Sequence, residues 1–368
     1  MNITNTRVGA RVGGILGHAN DVSTVNVDRC TYSGTMDSND NQGNGNYGGI
    51  VGYTQNSTST VLNITNCLFD GELKNTASTP GGCTFGGMVG YIGAGPLVTV
   101  KNCLSIGSVQ SKITGQFYGA VKNTTCSIAN SYYQGDNVNG SASTVTLPVQ
   151  QVAKVSDEQL ASGEVAYNLG GPFRQNIGTD KYPVLDDAKG IVGQITEAGY
   201  ATMYVEDTDV TVPEGVDAFA GIVVDGGFLN LKSIEGKIAA AEPVVLKGAA
   251  GYYSFVPTTD AVKAEQNDLK GAAKDMDAVG KYVLAKPESG EIGFYLADGG
   301  TIKSGKAYLE SASGVKAFYF KEGETSLNEE LRMKNDESAN AVYDLSGRLV
   351  NSLKKGVYIV NGKKIAIK

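Results

Sequence analysis

The feature that most restricts this chain is one short string present in three clear copies. They are Gly-Gly-Ile-Leu-Gly-His at 13–18, Gly-Gly-Ile-Val-Gly-Tyr at 48–53 and Gly-Gly-Met-Val-Gly-Tyr at 86–91. A worn copy, Tyr-Gly-Ala-Val, stands at 118–121. Aligned on these copies, Gly14, Gly49, Gly87 and Gly119 are 35, 38 and 32 residues apart. Behind each copy comes a second string: VNVDRCTYSG at 25–34, LNITNCLFDG at 62–71, VTVKNCLSIG at 98–107 and CSIANSYYQG at 126–135. A period of ~20–50 residues means stacked units, none of which buries an apolar face alone.

The parity of the second string identifies the kind of stack. Val25, Leu62, Val98 and Cys126 form one column, and Val27, Ile64, Val100 and Ile128 another two residues on. Apolar columns of period two are strand columns pointing inward. Arg29, Asn66, Asn102 and Asn130 follow, and there the parity switches to Cys30, Cys67, Cys103 and Ser131. Asn tolerates left-handed backbone, so a corner is expected at that position. Gly34, Gly71, Gly107 and Gly135 then end or kink the second strand. Strand, corner, strand and a Gly-Gly strand per turn describe a coil of a right-handed parallel β-helix. A propeller blade needs four strands from ~40–45 residues, which this pattern does not supply.

With 368 residues, 49 of them Gly, 19 Tyr and no Trp, the chain reads as all-β over two or three domains. Residues 1–150 hold the β-helix repeats. Residues 151–192 are a connector with a short helix at about 156–168, capping the solenoid. Its start is the capping box Ser156–Gln159 and its end Gly170-Gly171-Pro172. Residues 175–186 read as a last strand and turn, and 136–150 as the way out of the solenoid. Residues 193–325 are an antiparallel β-sandwich built from strands at 201–205, 218–224, 243–246, 252–256, 282–284, 292–296, 306–309 and 315–320. Between them, Lys263–Asp277 reads as a loop or short surface helix. Residues 326–368 form a polar linker and a small β unit with turns at Ser346-Gly347 and Asn361-Gly362.

The net charge of −7 argues against a nucleic-acid partner. Residues 1–150 carry seven acids and seven bases, so the whole imbalance lies beyond them. No apolar run approaches the ~18 residues of a membrane span. The opening MNITNTRVGARVGG lacks the apolar h-region of a signal peptide, and Met1 reads as a truncated or mis-assigned start. All five Cys lie in the repeats, and the column Cys30, Cys67, Cys103 is read as small buried residues.

Candidates for chemistry are few. The single histidine, His18, occupies the Tyr53/Tyr91 position and reads as a repeat-surface residue. Gly43–Gly48 matches a dinucleotide fingerprint but runs into a strand, and Gly300–Lys306 nearly spells a phosphate loop but reads as a hairpin turn. Asp28, Asp70, Glu72 and Asp136 are isolated, whereas polysaccharide cleavage needs paired carboxylates. Asp37, Asn39 and Asp40 read as a solvated turn rather than a Ca²⁺ loop. The sequons at Asn2, Asn56, Asn63, Asn123 and Asn139 carry little weight in so Asn-rich a chain. No catalytic, cofactor-binding or metal-ligating residue is nominated.

The Gly-Gly-Ile-Val-Gly-Tyr copies with their Asn-Cys strings, over 8–135, resemble the GLUG repeats of bacterial surface and secreted proteins, including adhesins and non-catalytic parts of IgA-cleaving proteases. SDEQLASGEVAYNLGG with QNIGTDKYPVLD resembles the segment that commonly follows them. Residues 195–320 are similar to a β module near the C-terminus of surface proteins of gut and oral anaerobes. VYDLSGRLV and KKGVYIVNGKKIAIK look like the C-terminal sorting domain of type IX secretion. Together these resemblances imply an extracellular or cell-surface protein that engages secretion machinery through its tail. They imply adhesion, or binding to glycan or host matrix protein, with no catalytic residue carried over. The rival readings are a glycan-degrading β-helix enzyme and a passive spacer for a catalytic domain upstream.

Overall fold

The columns read from the sequence stand side by side in space. A computed structural model describes the chain apart from residues 1, 6–8, 21–23, 123–124, 137–138, 144–148, 225–226, 312–313, 322–341, 344–355, 361–362 and 368. Strands Thr24–Asp28, Val61–Thr65, Leu97–Lys101 and Thr125–Tyr133 pair in parallel, with Val27, Ile64, Val100 and Ile128 in one register row. Leu62, Ile64, Val98, Val100, Cys126 and Ile128 are wholly buried, as residues inside parallel sheets are. Four parallel sheets run along the stack, so residues 3–154 form a β-helix of four coils and a shortened fifth.

Each coil turns where the parity switched. Arg29, Asn66, Asn102 and Asn130 have φ of 52°, 52°, 56° and 41°, the left-handed region that Asn enters at low cost. Beyond Gly34, Gly71 and Gly107 the chain bends into a further strand, Thr35–Ser38, Glu72–Asn75 or Ser108–Gln110, that the strand-corner-strand pattern missed. The Gly-Gly string is two strands rather than one: Gly48 ends Asn46–Gly48, and Gly49 with Ile50 bends the chain into Val51–Thr54. At that bend the coils come too close for a side chain. A Cβ on Gly49 would overlap the Gly87 carbonyl oxygen and the Phe69 ring.

Register corrects two expectations. Gly119 does not belong with Gly14, Gly49 and Gly87. Tyr91 pairs with Ala120 and Gly86 with Gly115, so Gly119 follows Gly52 and Gly90, and Gln116 takes the second-glycine place. The fourth coil is also not the last, because Asn139–Ser143 pairs with Tyr118–Lys122 and Val149–Lys154 with Thr125–Tyr133. Among the described residues, this fifth coil adds no strand to the other two sheets, which end at Ser108–Gln110 and Ile113–Gly115.

The connector is a strap along the flank rather than a cap over the end. Its helix is two helices, α1 (Asp157–Ala161) and α2 (Glu164–Leu169), broken at Gly163 with φ of 92°. The capping box is formed: Ser156 Oγ accepts from the Gln159 N–H, and Gln159 Oε1 from the Ser156 N–H. Leu160, Val165, Leu169 and Phe173 cover Leu68 and Leu104 on the outside of the coils. Residues 175–186 are turns, with one isolated bridge from Arg174 to Val184, and not a strand.

Beyond it lies the antiparallel β-sandwich module. Its largest sheet runs Tyr200–Met203, Val244–Gly248, Val216–Val224, Phe228–Ile234, Ala317–Lys321, Gly293–Leu296, Tyr282–Ala285, Ala307–Leu309 and Leu269–Gly271. One pair in it, Phe228–Ile234 with Ala317–Lys321, is parallel. Val244 and Leu246 face one core and Val245 the other, so this strand is buried on both faces. Lys263–Asp277 is mostly loop, as one of the two expectations had it, but the loop is interrupted by the short strands Leu269–Gly271 and Met276–Asp277. At the C-terminus, Val342–Tyr343, Gly356–Val360 and Lys363–Ile367 form their own three-stranded antiparallel sheet, bonded to no other sheet among the described residues. The linker at 324–340 and the turns at Ser346-Gly347 and Asn361-Gly362 lie outside the described residues.

Ile64→Asp should test the stack. It buries a charge with no partner in the middle of the column, at a cost of several kcal/mol. Hydrogen exchange should show the coils opening while the 193–325 module keeps its protection; unchanged protection of Val61–Thr65 would contradict the packing described.

Candidate functional site

The carboxylates singled out in the solenoid are each engaged. Asp28 Oδ1 accepts from Thr65 Oγ1 at 2.6 Å and from Asn66 Nδ2 at 2.7 Å, and these bonds hold its carboxyl below the usual range. Glu72 pairs with Lys74 at 2.8 Å and Asp136 with Lys154 at 3.2 Å. Asp70 Oδ2 accepts from the Tyr182 hydroxyl at 2.9 Å, tying the strap to the second coil. Asp40 corrects the solvated-turn expectation. It is buried, and its carboxylate accepts from the N–H groups of Gln42 (2.8 Å), Gly43 (3.1 Å) and Gly9 (3.2 Å). Among the described residues, no cluster of three or more His, Cys, Asp or Glu is placed to hold a metal.

The remaining sequence candidates are built into the scaffold. Cys67 and Cys103 are buried free thiols, Cys30 a half-buried one, and burial drives the Cys103 thiol well above its ordinary value. Each thiol reaches back across the corner to the carbonyl two residues before it: Cys67 to Thr65 at 3.1 Å and Cys103 to Lys101 at 3.3 Å. Asn102 donates to Asn66 Oδ1 and Asn130 to Asn102 Oδ1, both at 2.7 Å, so the corner amides make a ladder. His18 lies edge-on to Tyr53 at 4.8 Å, and Tyr53 stacks on Tyr91 at 5.4 Å. Only the two tyrosine rings are face to face. Gly43–Gly48 enters a strand, as its context indicated. Gly300–Lys306 is not a hairpin turn: it joins Thr301–Ile302 and Ala307–Leu309, which pair in different sheets.

A concave site draws on the last of these segments, Gly300–Lys306, and on none of the other candidates. A cleft of about 380 Å³ opens between the strap and the β module, lined by Tyr167, Gln194, Tyr204, Glu206, Asp207 and Ser304 among others. Tyr167 projects from α2; Tyr204, Glu206 and Asp207 follow the strand Tyr200–Met203; Ser304 lies in the turn before Ala307–Leu309. The Tyr204 ring lies flat on Gly271, where any Cβ would overlap it. Its N–H donates to the Gly305 carbonyl at 2.8 Å. Partial burial and the Glu206 charge both raise the Tyr204 phenol above its ordinary pKa. Lys306 Nζ donates to the Tyr167 hydroxyl at 3.1 Å and lies 5.3 Å from that ring's centre.

Strap and module are latched a second time. Ser254 Oγ donates to the Gln175 carbonyl at 2.7 Å and accepts from the Ile177 N–H at 2.9 Å, while Tyr167 packs on Tyr252 at 5.7 Å. The walls of the cleft are thereby held against each other. Two aromatic rings beside carboxylates, an amide and a hydroxyl suit a polyhydroxylated ligand, with ring C–H groups on the tyrosines and hydroxyls on the polar atoms.

Fold and cleft together define a β-solenoid protein carrying a β-sandwich module. Comparison with protein-family models, curated proteins and solved structures finds no match to the chain.

Burial, and then the bond to Asp70, push the Tyr182 phenol up to about 12 from an ordinary 10.0. A raised folded-state pKa stabilises the fold fully below the unfolded value and loses that contribution as pH climbs through the folded one. The Tyr182 share of stability should therefore vanish between pH 10 and pH 12. Urea midpoints across that window should fall less steeply for Tyr182→Phe than for the parent; equal slopes would show that the Tyr182–Asp70 contact does not hold the strap.

Proposed function

We propose that this chain is a non-catalytic surface or secreted protein that binds glycan in the cleft between strap and module. The solenoid serves as a stalk and the C-terminal sheet as an export address. The observation that carries the reading is the lining of the cleft: Tyr167 and Tyr204 beside Glu206, Asp207 and Gln194. Sugar sites combine a few convergent polar groups with an aromatic platform in this way. Glycosidic cleavage sets two carboxylates on either side of the scissile bond, ~5–9.5 Å apart. Glu206 and Asp207 are chain neighbours, offering hydrogen bonds from a single stretch of backbone. The engaged carboxylates of the solenoid favour the same reading over that of a degrading enzyme.

A glycan array probed with the purified full chain should retain a defined set of sugars without releasing reducing ends. Tyr204→Ala and Asp207→Ala should each weaken retention by about tenfold or more, worth ~1.4 kcal/mol. No retained glycan would point to a matrix protein or a spacer role. Retention indifferent to both substitutions would remove the cleft from the reading.

The export proposal rests on the tail's resemblance and on its separate sheet. Deleting Ala341–Lys368 should leave the melting temperature within about a degree, since among the described residues no strand pairing with the sandwich is lost. The same deletion should trap the protein in the periplasm of a host with that secretion route. A fall of many degrees would make the tail part of the module instead.

A further inference from the structure

The cleft has one wall made of backbone. Among the described residues Ile191–Ile195 pairs only with Gly251–Phe255, and Tyr200–Met203 only with Val244–Gly248, so each is the end member of its sheet. In an antiparallel pair alternate residues turn N–H and C=O to the partner, and the others turn theirs away. Gly190 turns away: its N–H donates to Asn176 Oδ1 and its carbonyl accepts from the Gln175 N–H, both at 2.9 Å. Val192 and Gln194 share its parity. Farther along, the Gly199 carbonyl accepts from the Gly248 N–H at 3.1 Å, which turns Tyr200, Thr202 and Tyr204 outward. The Tyr204 N–H shows that direction by donating to the Gly305 carbonyl.

Val192, Gln194 and Thr202 all line the cleft, and among the described residues nothing in the chain bonds their outward N–H and C=O groups. Val192 and Thr202 are each 8% exposed, and backbone groups so enclosed are rarely left unpaired. The open run is short. The strap closes it at Gly190, and Gly305 closes it at Tyr204. An extended polypeptide pairs along an edge at a repeat of ~7 Å and would run into those closures. A compact ligand carrying one amide meets no such stop.

We propose that the cleft selects an uncharged N-acetylated amino sugar whose acetamido group bonds this open edge, a proposal that rests on the glycan reading above. A trans amide aims its N–H and C=O in opposite directions, so one group can donate to an outward carbonyl and accept from an outward N–H. A sugar hydroxyl also does both, but it carries no apolar group beyond it. The acetamido methyl does, and Met203, Leu246 and Ala272, all buried, give the cleft its apolar lining. Charge narrows the choice further. Glu206 and Asp207 line the cleft, and no lysine or arginine does so among the described residues. Uronate, sulfated and sialylated sugars are repelled by such a lining, whereas N-acetylation leaves an amino sugar neutral.

The test is an array, probed with the full chain, on which each N-acetylhexosamine glycan stands beside its counterpart with a hydroxyl at that carbon. Neutral acetamido glycans should be retained at least tenfold more tightly, because a site built to bond an N–H rejects the analogue that lacks it. Hydrogen exchange of the full chain should show at least one of the Val192, Gln194 and Thr202 amides slowed by the retained N-acetylhexosamine. An array that retains glycans with no acetamido preference, or that prefers acidic sugars, overturns this proposal and leaves the glycan reading standing. An acetamido preference with all three amides exchanging as before moves the sugar off the edge and overturns it too. An array that retains nothing removes both.

Discussion

Everything in the solenoid depends on one backbone choice repeated four times, the left-handed residue between the two strands of the long sheet. A single residue at φ of 41–56° turns the chain through the corner without a loop, so successive coils keep the same outline. Left-handed backbone costs an ordinary residue roughly 1–3 kcal/mol and Asn less, because its short amide bonds locally. Here that amide bonds the next coil instead. Asn130 donates to Asn102 and Asn102 to Asn66, and where Arg29 interrupts the column Asn66 turns to Asp28. Each such bond is worth about 0.5–1.5 kcal/mol net, enough to offset the strain of its own corner. The thiols of Cys67 and Cys103 reach the carbonyls on the far side of the same corners, so both sides of the turn are satisfied.

Inside, the coils are spaced by a second trade. The aromatic ring that follows each corner lies on the glycine of the bend opposite: Tyr32 against Gly14 and Phe69 against Gly49. In the third coil Ser105 replaces the ring, and its hydroxyl lies 2.7 Å from the carbonyl and 2.8 Å from the side-chain oxygen of Gln116. Glycine is thus needed where a ring lies on the bend, and the Ser105 hydroxyl leaves room for the buried Gln116 amide of the next coil. The lumen stays filled at constant backbone spacing, which close-packed interiors require.

The same facts show what could be read in the chain. Columns at period two, the Asn corners and the capping box at Ser156 survive translation into three dimensions because each is a local backbone rule. The alignment of Gly119 failed because the worn copy preserves the wrong glycine: the fourth coil is short, and Gln116 disguises the position that lines up with Gly87. The strand Phe228–Ile234 escaped notice although the Asp225-Gly226 pair before it is a hairpin signal, and its mixed, half-exposed side chains hide any alternation. The split helix depended on Gly163, which a periodic pattern passes over. The cleft was not legible at all, because Tyr167 and Lys306 meet across 139 residues and no local pattern marks either.

That separation also bears on how the cleft is held together. Its walls belong to units with separate cores, Leu160, Val165 and Leu169 packing on the coils and Val210, Val244 and Phe255 inside the module. Neither core orients the other. Orientation comes from few contacts: the Ser254 hydroxyl shared between Gln175 and Ile177, Tyr252 on Tyr167, and Lys306 on the Tyr167 hydroxyl. Two of these meet at Tyr167, which also lines the cleft. A ligand that touches Tyr167 therefore touches the latch itself. Under the proposed function, binding and the angle between solenoid and module would be coupled through one side chain, and a ligand that prefers the latched geometry would stiffen the joint by as much as the joint favours the ligand.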